Sequence, residues 1–400
     1  MSDPPAPATT PGRADSPPPQ PWFDPEDVSR AVAGVARETV DTAVAALSMP
    51  PRGPLPIPHL DTAGLDLLTS AFMEAADGGK YLRAHLALTA WGALGGPDCG
   101  TDGPASSAHT LAYPHMIHLA AALELFQISA LIHDDIVDAA DTRRARPSAH
   151  KHLEAALGGR VGPGYAERLG RDLAILLGDL ALVASERQVH LAIRDTSRAT
   201  AGAIAGMLDT MREQVMVGQF LDTLAPAMPL GSPQAAIEDA MGVVMAKAAH
   251  YSVTCPLLVG ALAAGADEAE CAALASFGAA IGLAFQLRDD ILGVFAAQHD
   301  TGKPADGDLK DGKRTVLVAL ARRNLAPGPR DRLAAILAGG ADSVDLDEAR
   351  RLIRDSGAVD DIERAIARYH EAGLDALSAL PGVSREPLRA LAWRLVYRTA

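Results

Sequence analysis

Two acidic clusters interrupt long apolar helical patterns in this chain, and they constrain its fold more than any other feature. The first lies in HDDIVDAADTRRARP, which runs from His133 to Pro147, and the second lies in QLRDDILG, which runs from Gln286 to Gly293. Both are flanked by Leu, Ile and Val at helical spacing, which predicts largely buried helices. Carboxylates that are buried without compensation are costly, so these side chains are either protonated and neutral or neutralised by nearby cations.

The first cluster places two carboxylates on one helix face. Asp134 and Asp138 are four residues apart, so their side chains lie about 6 Å from each other. Mg²⁺ prefers oxygen ligands and is often held by one or two carboxylates together with substrate phosphate. Arg143 and Arg144 follow the helix, and guanidinium groups match phosphate geometry. The alternative is a solvated acidic helix end whose arginine pair is bridged to Asp138 or Asp141 at the surface.

The second cluster repeats this arrangement on another apolar helix. Asp289 and Asp290 are adjacent within AAIGLAFQLRDDILGVF, and Gln286 lies one turn earlier on their face. Buried adjacent carboxylates again require a cation. Two such clusters on separate helices are suited to hold several divalent cations against a diphosphate, as required to form an allylic carbocation by loss of pyrophosphate.

Several basic residues near these patterns are candidate phosphate ligands. The motif GGKYLR, with Lys80 and Arg83, precedes a helix whose N-terminal N–H groups can bind an anion, although the motif is weak alone. Lys247 lies in the apolar run MGVVMAKAAHYSV. Its side chain either buries its methylene groups and places the ammonium group in solvent, or binds substrate. Lys303 and Lys313 lie in the loop after the second cluster, and Lys303 is either a rim ligand or an ordinary exposed lysine.

Composition favours helices throughout the chain. Hydrophobic residues make up 48% and aromatic residues only 4% of the 400 residues, Ala and Leu dominate, and strand alternation does not persist. We therefore predict an all-α fold, a single-domain helical bundle with a central active-site cavity. Residues 1–22 are predicted to be a disordered Pro-rich tail, 23–58 an N-terminal helix and linker, and 59–400 the main domain. Helical periodicity predicts helices near 62–75, 80–94, 114–140, 164–186, 188–195, 199–224, 234–264, 269–297, 314–323, 330–338, 345–355, 359–379 and 384–398, with loops at 95–112 and 299–313.

Charge and composition argue against several classes of protein. The net charge of −14 disfavours nucleic-acid binding. We expect no membrane span, because no uncharged apolar stretch of about 18 residues is apparent. The N-terminus lacks the apolar core of a signal peptide. Metal-ligand spacing is also missing among the cysteines, Cys99, Cys255 and Cys271. We therefore expect a reduced cytoplasmic protein.

Seven motifs, in the same order along the chain, resemble those of the trans-isoprenyl diphosphate synthases, the farnesyl and geranylgeranyl diphosphate synthase family. The resemblance covers roughly residues 60–398. Within the family, the chain most resembles the bacterial geranylgeranyl diphosphate synthases. The motifs are GGKYLR, ELFQISALIHDDIVDAADTRRARP, LLGDLAL, GQFLD, the segment around Lys247, FQLRDDILG and TGKPADGDLKDGKRT.

The resemblance implies a Mg²⁺-dependent condensation of isopentenyl diphosphate with an allylic diphosphate (dimethylallyl, geranyl or farnesyl) in a homodimer. The implied direct ligands of three Mg²⁺ ions are Asp134, Asp138 and Asp289, with Asp135 and Asp290 in supporting positions. The implied ligands of the allylic diphosphate are Arg143, Lys247, Lys303 and Lys313. Those of isopentenyl diphosphate are Lys80, Arg83, Gln127 and Arg144. Gln286 and main-chain carbonyls near Lys247 would stabilise the carbocation.

The expected product is geranylgeranyl diphosphate, C20. Family members that stop at C15 often carry an aromatic residue four or five positions before the first aspartate, where this chain has the small residues Ala130 and Ser129. Phe126 lies eight residues before Asp134, about 12 Å along the helix, and is a candidate floor for the growing chain. The alternatives are that Phe126 is ordinary core, and that the product is farnesyl diphosphate or a chain of C25 or more.

Two other functions share some of these features. A class I terpene cyclase would need an NDxxSxxxE-type motif, but Asn324 is the chain's only asparagine and lies in no such context. A non-catalytic synthase subunit would be expected to lose one acidic cluster, whereas this chain keeps both. The departures from the family pattern, none of which removes a charged catalytic group, are Ala84, Ala145, Ala248 and Gly293.

Overall fold

The computed structural model describes residues 25–48, 62–95, 113–228, 231–295, 307–310, 312–338, 343–380 and 385–398. These residues form an all-α fold, which confirms the predicted fold class. Its α-helices are α1 (Pro25–Ser48), α2 (Thr62–Ala76), α3 (Leu82–Ala93), α4 (Pro114–Val137), α5 (Ala149–Leu157), α6 (Pro163–Ile193), α7 (Arg198–Leu224), α8 (Pro233–Val243), α9 (Cys255–Ala264), α10 (Glu268–Phe295), α11 (Gly307–Lys310), α12 (Val316–Asn324), α13 (Pro327–Leu337), α14 (Ser343–Asp355), α15 (Ala358–Ser378) and α16 (Glu386–Val396).

A 3₁₀ turn, a π-helix and two short strands complete the described fold. A 3₁₀ turn, Ala225–Ala227, follows α7, and a π-helix, Val244–Thr254, joins α8 to α9 without a break. Two strands of two residues each, β1 (Thr142–Arg143) and β2 (Arg146–Pro147), pair antiparallel directly after α4. A π-helix often marks a functional position within a longer helix, and this one contains Lys247.

Helix α4 lies at the centre of the fold because it is apolar around most of its circumference. Its buried residues include Leu119, Leu123 and Phe126, and they pack with residues of α3, α7 and the π-helix. A second core forms where α10 packs with α12 and α15, around residues such as Phe277 and Ile362. The C-terminal ends of α4 and α10, which carry the two acidic clusters, are thereby held by a rigid apolar framework.

Glycine allows α7 to pass very close to the π-helix. A Cβ on Gly218 would lie 2.8 Å from the backbone nitrogen of Lys247, a separation that real Cβ atoms do not show. Any larger residue would therefore force the two helices apart. This contact places the GQFLD motif beside Lys247.

The structure differs from the sequence-based predictions at several helix ends. The predicted helix 80–94 begins only at Leu82, because Tyr81 adopts a left-handed conformation with φ 45°. The predicted helix 114–140 ends at Val137, and Ala139 has φ 49°. The two helices predicted over 164–186 and 188–195 form the single helix α6. The β-hairpin and α5 were not predicted, since neither has a long periodic pattern.

Helix α1 packs into the same core as the rest of the described chain. Val28 and Val32 are fully or almost fully buried beside residues of α3 and α4. Gln188 of α6 donates a hydrogen bond to the Thr39 hydroxyl at 2.8 Å and lies 2.6 Å from the His118 ring nitrogen Nδ1. The predicted tail, residues 1–22, and most of the predicted linker lie outside the described residues.

Three described helical segments are long and apolar enough to cross a membrane on length and composition alone. They are Pro114–Val137, Pro233–Ala264 and Glu268–Phe295. Residues 248–266 also contain no charged residue, so the expectation of no membrane span does not follow from composition. In the fold, 72%, 61% and 56% of the respective apolar windows are buried inside the protein.

Candidate active site

The first acidic cluster lies at the C-terminal end of α4, where the arginine of β1 covers it. Asp135 is buried, and Arg143 donates from Nε to its Oδ1 at 2.8 Å and also from Nη2. The same Nη2 lies 3.6 Å from Oδ2 of Asp134. Although burial opposes its charge, the bond to Asp135 and the nearby charges of Asp134 and Asp138 raise the pKa of Arg143 above its usual range. The guanidinium is therefore firmly charged.

The tight turn of the β-hairpin directs the two adjacent arginines to different places. Both central residues of the turn are left-handed, with φ 53° at Arg144 and φ 60° at Ala145. A two-residue hairpin of this kind requires positive φ at both positions. Arg143 consequently returns to α4, whereas Arg144 points toward the end of α2 and donates to the carbonyl of Asp77 at 2.9 Å. Burial and the neighbouring Arg143 lower the pKa of Arg144.

Asp134 faces α7 and the π-helix. Gln219 donates from its amide to Oδ1 of Asp134 at 2.9 Å, and Nζ of Lys247 lies 3.8 Å from the same oxygen. Lys247 also donates to Oδ2 of Asp222 at 2.5 Å. Gln219 and Asp222 were not predicted as site residues, although the GQFLD motif contains both and was the available signal.

One short segment joins the two acidic clusters. Lys313 donates to Oδ2 of Asp138 at 2.7 Å, and the backbone N–H of Val316 donates to Oδ2 of Asp290 at 3.2 Å. Three residues of chain span at most about 10 Å. The clusters, which are distant in sequence, therefore lie at the same end of the helical framework, as the paired motifs predicted.

The second cluster has its own internal partners. Gln286 donates to Oδ1 of Asp290 at 3.3 Å, one turn along α10. Asp289 is ion-paired with Arg398, whose guanidinium carbon lies 3.9 Å above the ring centroid of Phe285. Arg398 was missed by the sequence reasoning, since it stands in no recognisable motif and the tertiary fold alone brings it to α10.

Two of the four residues predicted for isopentenyl diphosphate, Arg83 and Gln127, contact Tyr251 of the π-helix. The guanidinium carbon of Arg83 lies 4.1 Å above the Tyr251 ring centroid, and Arg83 donates to the Ser252 hydroxyl at 2.8 Å. The Tyr251 hydroxyl donates to the side-chain carbonyl of Gln127. Lys80 is exposed before α3, in the loop that Arg144 contacts through Asp77.

A buried carboxyl lies behind this group. Glu124 accepts a hydrogen bond from the backbone N–H of Ala84 at 3.0 Å, where the family pattern has proline and no donor. Burial raises the pKa of Glu124, while the charge of Arg83 opposes the rise. This bond ties the start of α3 to α4 and so fixes the position of Arg83.

The candidate chain-length residues differ in the direction they face. Counted along a helix at 100° per residue, Ala130 lies about 40° from Asp134, Phe126 about 80° and Ser129 about 140°. Ser129 is fully buried, and its hydroxyl has no hydrogen-bond partner among the described residues. Ala130, which is half-buried, thus shares the Asp134 face more closely than Ser129 does. Phe126 is 1% exposed and packs edge to face on Tyr251, with 5.4 Å between ring centroids.

No three Asp, Glu, His or Cys side chains of the described residues come close enough together to enclose a metal ion by themselves. Instead, protein cations pair with the carboxylates at Asp134, Asp138 and Asp289. These oxygen donors still suit Mg²⁺, because Mg²⁺ needs only one or two carboxylates when substrate phosphate completes its shell. Lys303 lies outside the described residues, so its predicted role stays a prediction.

A helical framework with two carboxylate clusters facing basic residues is the arrangement expected of a prenyltransferase. The profile of the polyprenyl synthetase family matches residues 66–354, and the chain belongs to that family. It is 31% identical to the geranylgeranyl diphosphate synthase of Mycobacterium tuberculosis over 314 residues, 78% of each chain. It is 30% identical to the geranylfarnesyl diphosphate synthase of Aeropyrum pernix over 326 residues, 80% of this chain and 89% of that one.

A solved structure agrees with the fold and the family. The geranylgeranyl pyrophosphate synthase from Corynebacterium glutamicum, complexed with isoprenyl diphosphate and magnesium, superposes with a TM-score of 0.80 at 30% identity. The match covers 94% of this chain and 99% of that one. The relatives named here make products of different length, so family membership alone leaves the chain length of this enzyme's product open.

Proposed function

We propose that the chain condenses isopentenyl diphosphate with allylic diphosphates in a Mg²⁺-dependent reaction and releases geranylgeranyl diphosphate. The observation that carries this proposal is the segment from Lys313 to Val316, which joins Asp138 of one acidic cluster to Asp290 of the other. The fold therefore concentrates carboxylates and cations where a diphosphate and metal ions can be bound together. The magnesium in the Corynebacterium glutamicum complex supports the choice of metal.

Asp134, Asp138 and Asp289 would hold Mg²⁺, with three ions per active site as the family resemblance implies. Bound Mg²⁺ neutralises diphosphate charge and makes pyrophosphate a better leaving group. Lys247 and Lys313, which pair with aspartates, exchange these partners for diphosphate oxygens. Their charges and that of Arg143 then stabilise the pyrophosphate as the C1–O bond breaks.

The second substrate requires binding without ionisation. Arg83 and Gln127, with Lys80 and Arg144, form a group separate from the carboxylates, which suits the diphosphate of isopentenyl diphosphate. The double bond of this substrate attacks C1 of the allylic cation, and a proton then passes to the released pyrophosphate. Gln286, beside Asp290, and main-chain carbonyls near Lys247 stabilise the cation, because the π-helix alters the backbone hydrogen bonding there.

A C20 product is supported by the residues before Asp134. Ala130 leaves space on the Asp134 face, and Phe126 lies about 12 Å further along α4, where it can end the cavity. Ala130→Phe, on the Asp134 face, is then expected to shift the product toward C15, and Phe126→Ala to lengthen it; Ser129→Phe, which points away from that face, is expected to have less effect. Farnesyl diphosphate or a product of C25 or more is the alternative, since the relatives differ in product length.

We also propose that the enzyme is a homodimer in the cytoplasm. Large apolar side chains are exposed on neighbouring helices, including Leu176 and Val183 of α6 and Val217 and Phe220 of α7, each more than half exposed. A second copy of the chain would cover such a surface. Light scattering on the purified protein tests this, and Leu176→Asp with Val183→Asp is expected to yield monomers.

Incubation of the purified protein with Mg²⁺, isopentenyl diphosphate and each allylic primer tests the catalytic proposal. Chromatography of the dephosphorylated products is expected to give geranylgeraniol. Cyclised hydrocarbons would indicate a cyclase instead, and absence of any product with every primer would contradict an active synthase.

A further inference from the structure

A buried arginine beside Phe126 is ion-paired with carboxylates that reach the protein surface. Arg212 of α7 is 8% exposed, and its Nη1 lies 2.5 Å from Oε1 of Glu186 on α6. Its Nη2 donates to the hydroxyl of Ser185 at 3.2 Å, and Nη1 lies 3.4 Å from Oδ1 of Asp209. The guanidinium carbon is 5.9 Å from the ring centroid of Phe126. A buried charge of this kind is weak evidence for a role in stability, so a functional role for Arg212 is considered.

This polar group extends across the direction in which a prenyl chain would grow. The Ser185 hydroxyl donates to the carbonyl of Ala122 at 2.7 Å, one helical turn beyond Phe126 and further from Asp134. Ala122 is 12 residues before Asp134, which is about 18 Å along the helix. Arg212, Ser185 and the Ala122 carbonyl thus connect α7, α6 and α4 in the layer behind the aromatic ring.

Hydrocarbon is poorly accommodated against such a layer. A prenyl chain gains free energy when apolar surface replaces water around it. Past Phe126, the chain would have to lie against the buried guanidinium of Arg212 and the buried hydroxyl of Ser185, or displace Arg212 from its partners and leave its charge poorly solvated. The surrounding residues, such as Leu123 and Met211, are apolar, so the obstacle is the polar group itself.

We infer that Arg212 is a second determinant of product length, a polar stop behind the aromatic floor at Phe126. This inference rests on the proposed function and deepens it, because it names the residue that limits elongation when Phe126 is removed. Phe126 fills the space in the wild type, and Arg212 prevents a longer chain from using the space that a smaller residue would open.

The test compares product length in four variants with the wild type. Arg212→Met keeps much of the side-chain volume without the charge and is expected to leave the product unchanged, because Phe126 still covers it. Phe126→Ala is expected to add at most one C5 unit. The double variant Phe126→Ala/Arg212→Met is expected to add two or more units. Arg322→Met combined with Phe126→Ala is the matched control and is expected to match Phe126→Ala alone.

Arg322 suits this control because it resembles Arg212 in burial but lies elsewhere. It is also 8% exposed, it lies on α12, and its Nε, like that of Arg212, is buried with no hydrogen-bond partner among the described residues. Circular dichroism and the melting temperature establish that each variant is folded. If the double variant does not fold, the pair Phe126→Leu and Arg212→Leu replaces it, with the same expected order of product lengths.

Two results would overturn the inference. One is a double variant with the same products as Phe126→Ala, and the other is addition of two or more C5 units by Phe126→Ala alone. Both outcomes are distinct from failure of the proposed function, because in that case the wild type itself forms no prenyl product. Titration with saturated C20 and C30 alkyl diphosphates gives a readout without turnover, and only the double variant is expected to bind the C30 compound as tightly as the C20 compound.

Discussion

The guanidinium of Arg83 stacks on the ring of Tyr251, with 4.1 Å between the guanidinium carbon and the ring centroid. The same tyrosine donates its hydroxyl hydrogen to Gln127 and packs edge to face on Phe126. One side chain of the π-helix therefore contacts two residues proposed to bind isopentenyl diphosphate and the proposed floor of the chain-elongation cavity. Its ring and its hydroxyl can be tested separately.

Tyr251→Phe removes the hydroxyl and keeps the stacked ring. A lost hydrogen bond is worth about 1 kcal/mol, so the KM for isopentenyl diphosphate is expected to rise roughly fivefold. Tyr251→Leu also removes the cation–π contact, worth about 1–2 kcal/mol when desolvated, and is expected to raise that KM by a further tenfold or so. Steady-state kinetics with each substrate varied separately measure both effects. The KM for the allylic substrate should not change, and Tyr369→Leu on α15 serves as control.

Loss of a proposed metal ligand should abolish turnover without unfolding the protein. Asp134→Ala and Asp289→Ala are each expected to lower kcat by several orders of magnitude, because pyrophosphate departure loses its charge stabilisation. Removal of divalent ions with EDTA should have the same effect on the wild type and be reversed by Mg²⁺. Asp195→Ala, at a largely exposed carboxylate, is the control. Near-normal turnover of either variant would contradict the metal assignment.

The hairpin predicts different kinetic effects for two adjacent arginines. Arg143 contacts the carboxylates of α4, whereas Arg144 contacts the loop that contains Lys80. Arg144→Ala and Lys80→Ala are expected to raise mainly the KM for isopentenyl diphosphate, and Arg143→Ala mainly that for the allylic diphosphate. Equal effects of all three substitutions on both substrates would show that the fold does not separate the two sites.

Replacing the left-handed alanine of the hairpin should stabilise the protein. Ala145 has φ 60°, a conformation that costs a residue with a Cβ about 1–2 kcal/mol. Glycine removes this strain, but it also makes the unfolded chain more flexible, which offsets roughly half of the stabilisation. Ala145→Gly is therefore expected to raise the free energy of unfolding by about 0.5–1 kcal/mol. Chemical denaturation measures this. Ala203→Gly, at an exposed position within α7, should instead lower it by a similar amount.

The Pro-rich tail is expected to be dispensable for the reaction. Residues 1–22 precede α1 and lie outside both the motif resemblance and the family match, which begins at residue 66. Deletion of 1–22 should leave kcat and both KM values unchanged, because no proposed substrate ligand is removed. An inactive or insoluble truncated protein would assign a role to this segment.

The long helices and the paired acidic clusters could be predicted from sequence because they depend on local periodicity. Helices such as α4 and α10 carry apolar residues over more than twenty positions, and the spacing of Asp134 and Asp138 on one turn is a property of any α-helix. The motif order was also enough to predict the family. Short elements such as α5 and the hairpin offered too few residues for a periodic signal.

The sequence by itself determined the helical class, the family and the two carboxylate clusters, since each of these is encoded by residues close together along the chain. Only the tertiary structure decided which cation meets which carboxylate, as with Lys313 and Asp138, which are 175 residues apart. It also decided that Arg398 pairs with Asp289 and that Arg212 lies behind Phe126. The reason is that such contacts depend on how whole helices pack, and helix packing is a collective result of core shape that local sequence does not specify.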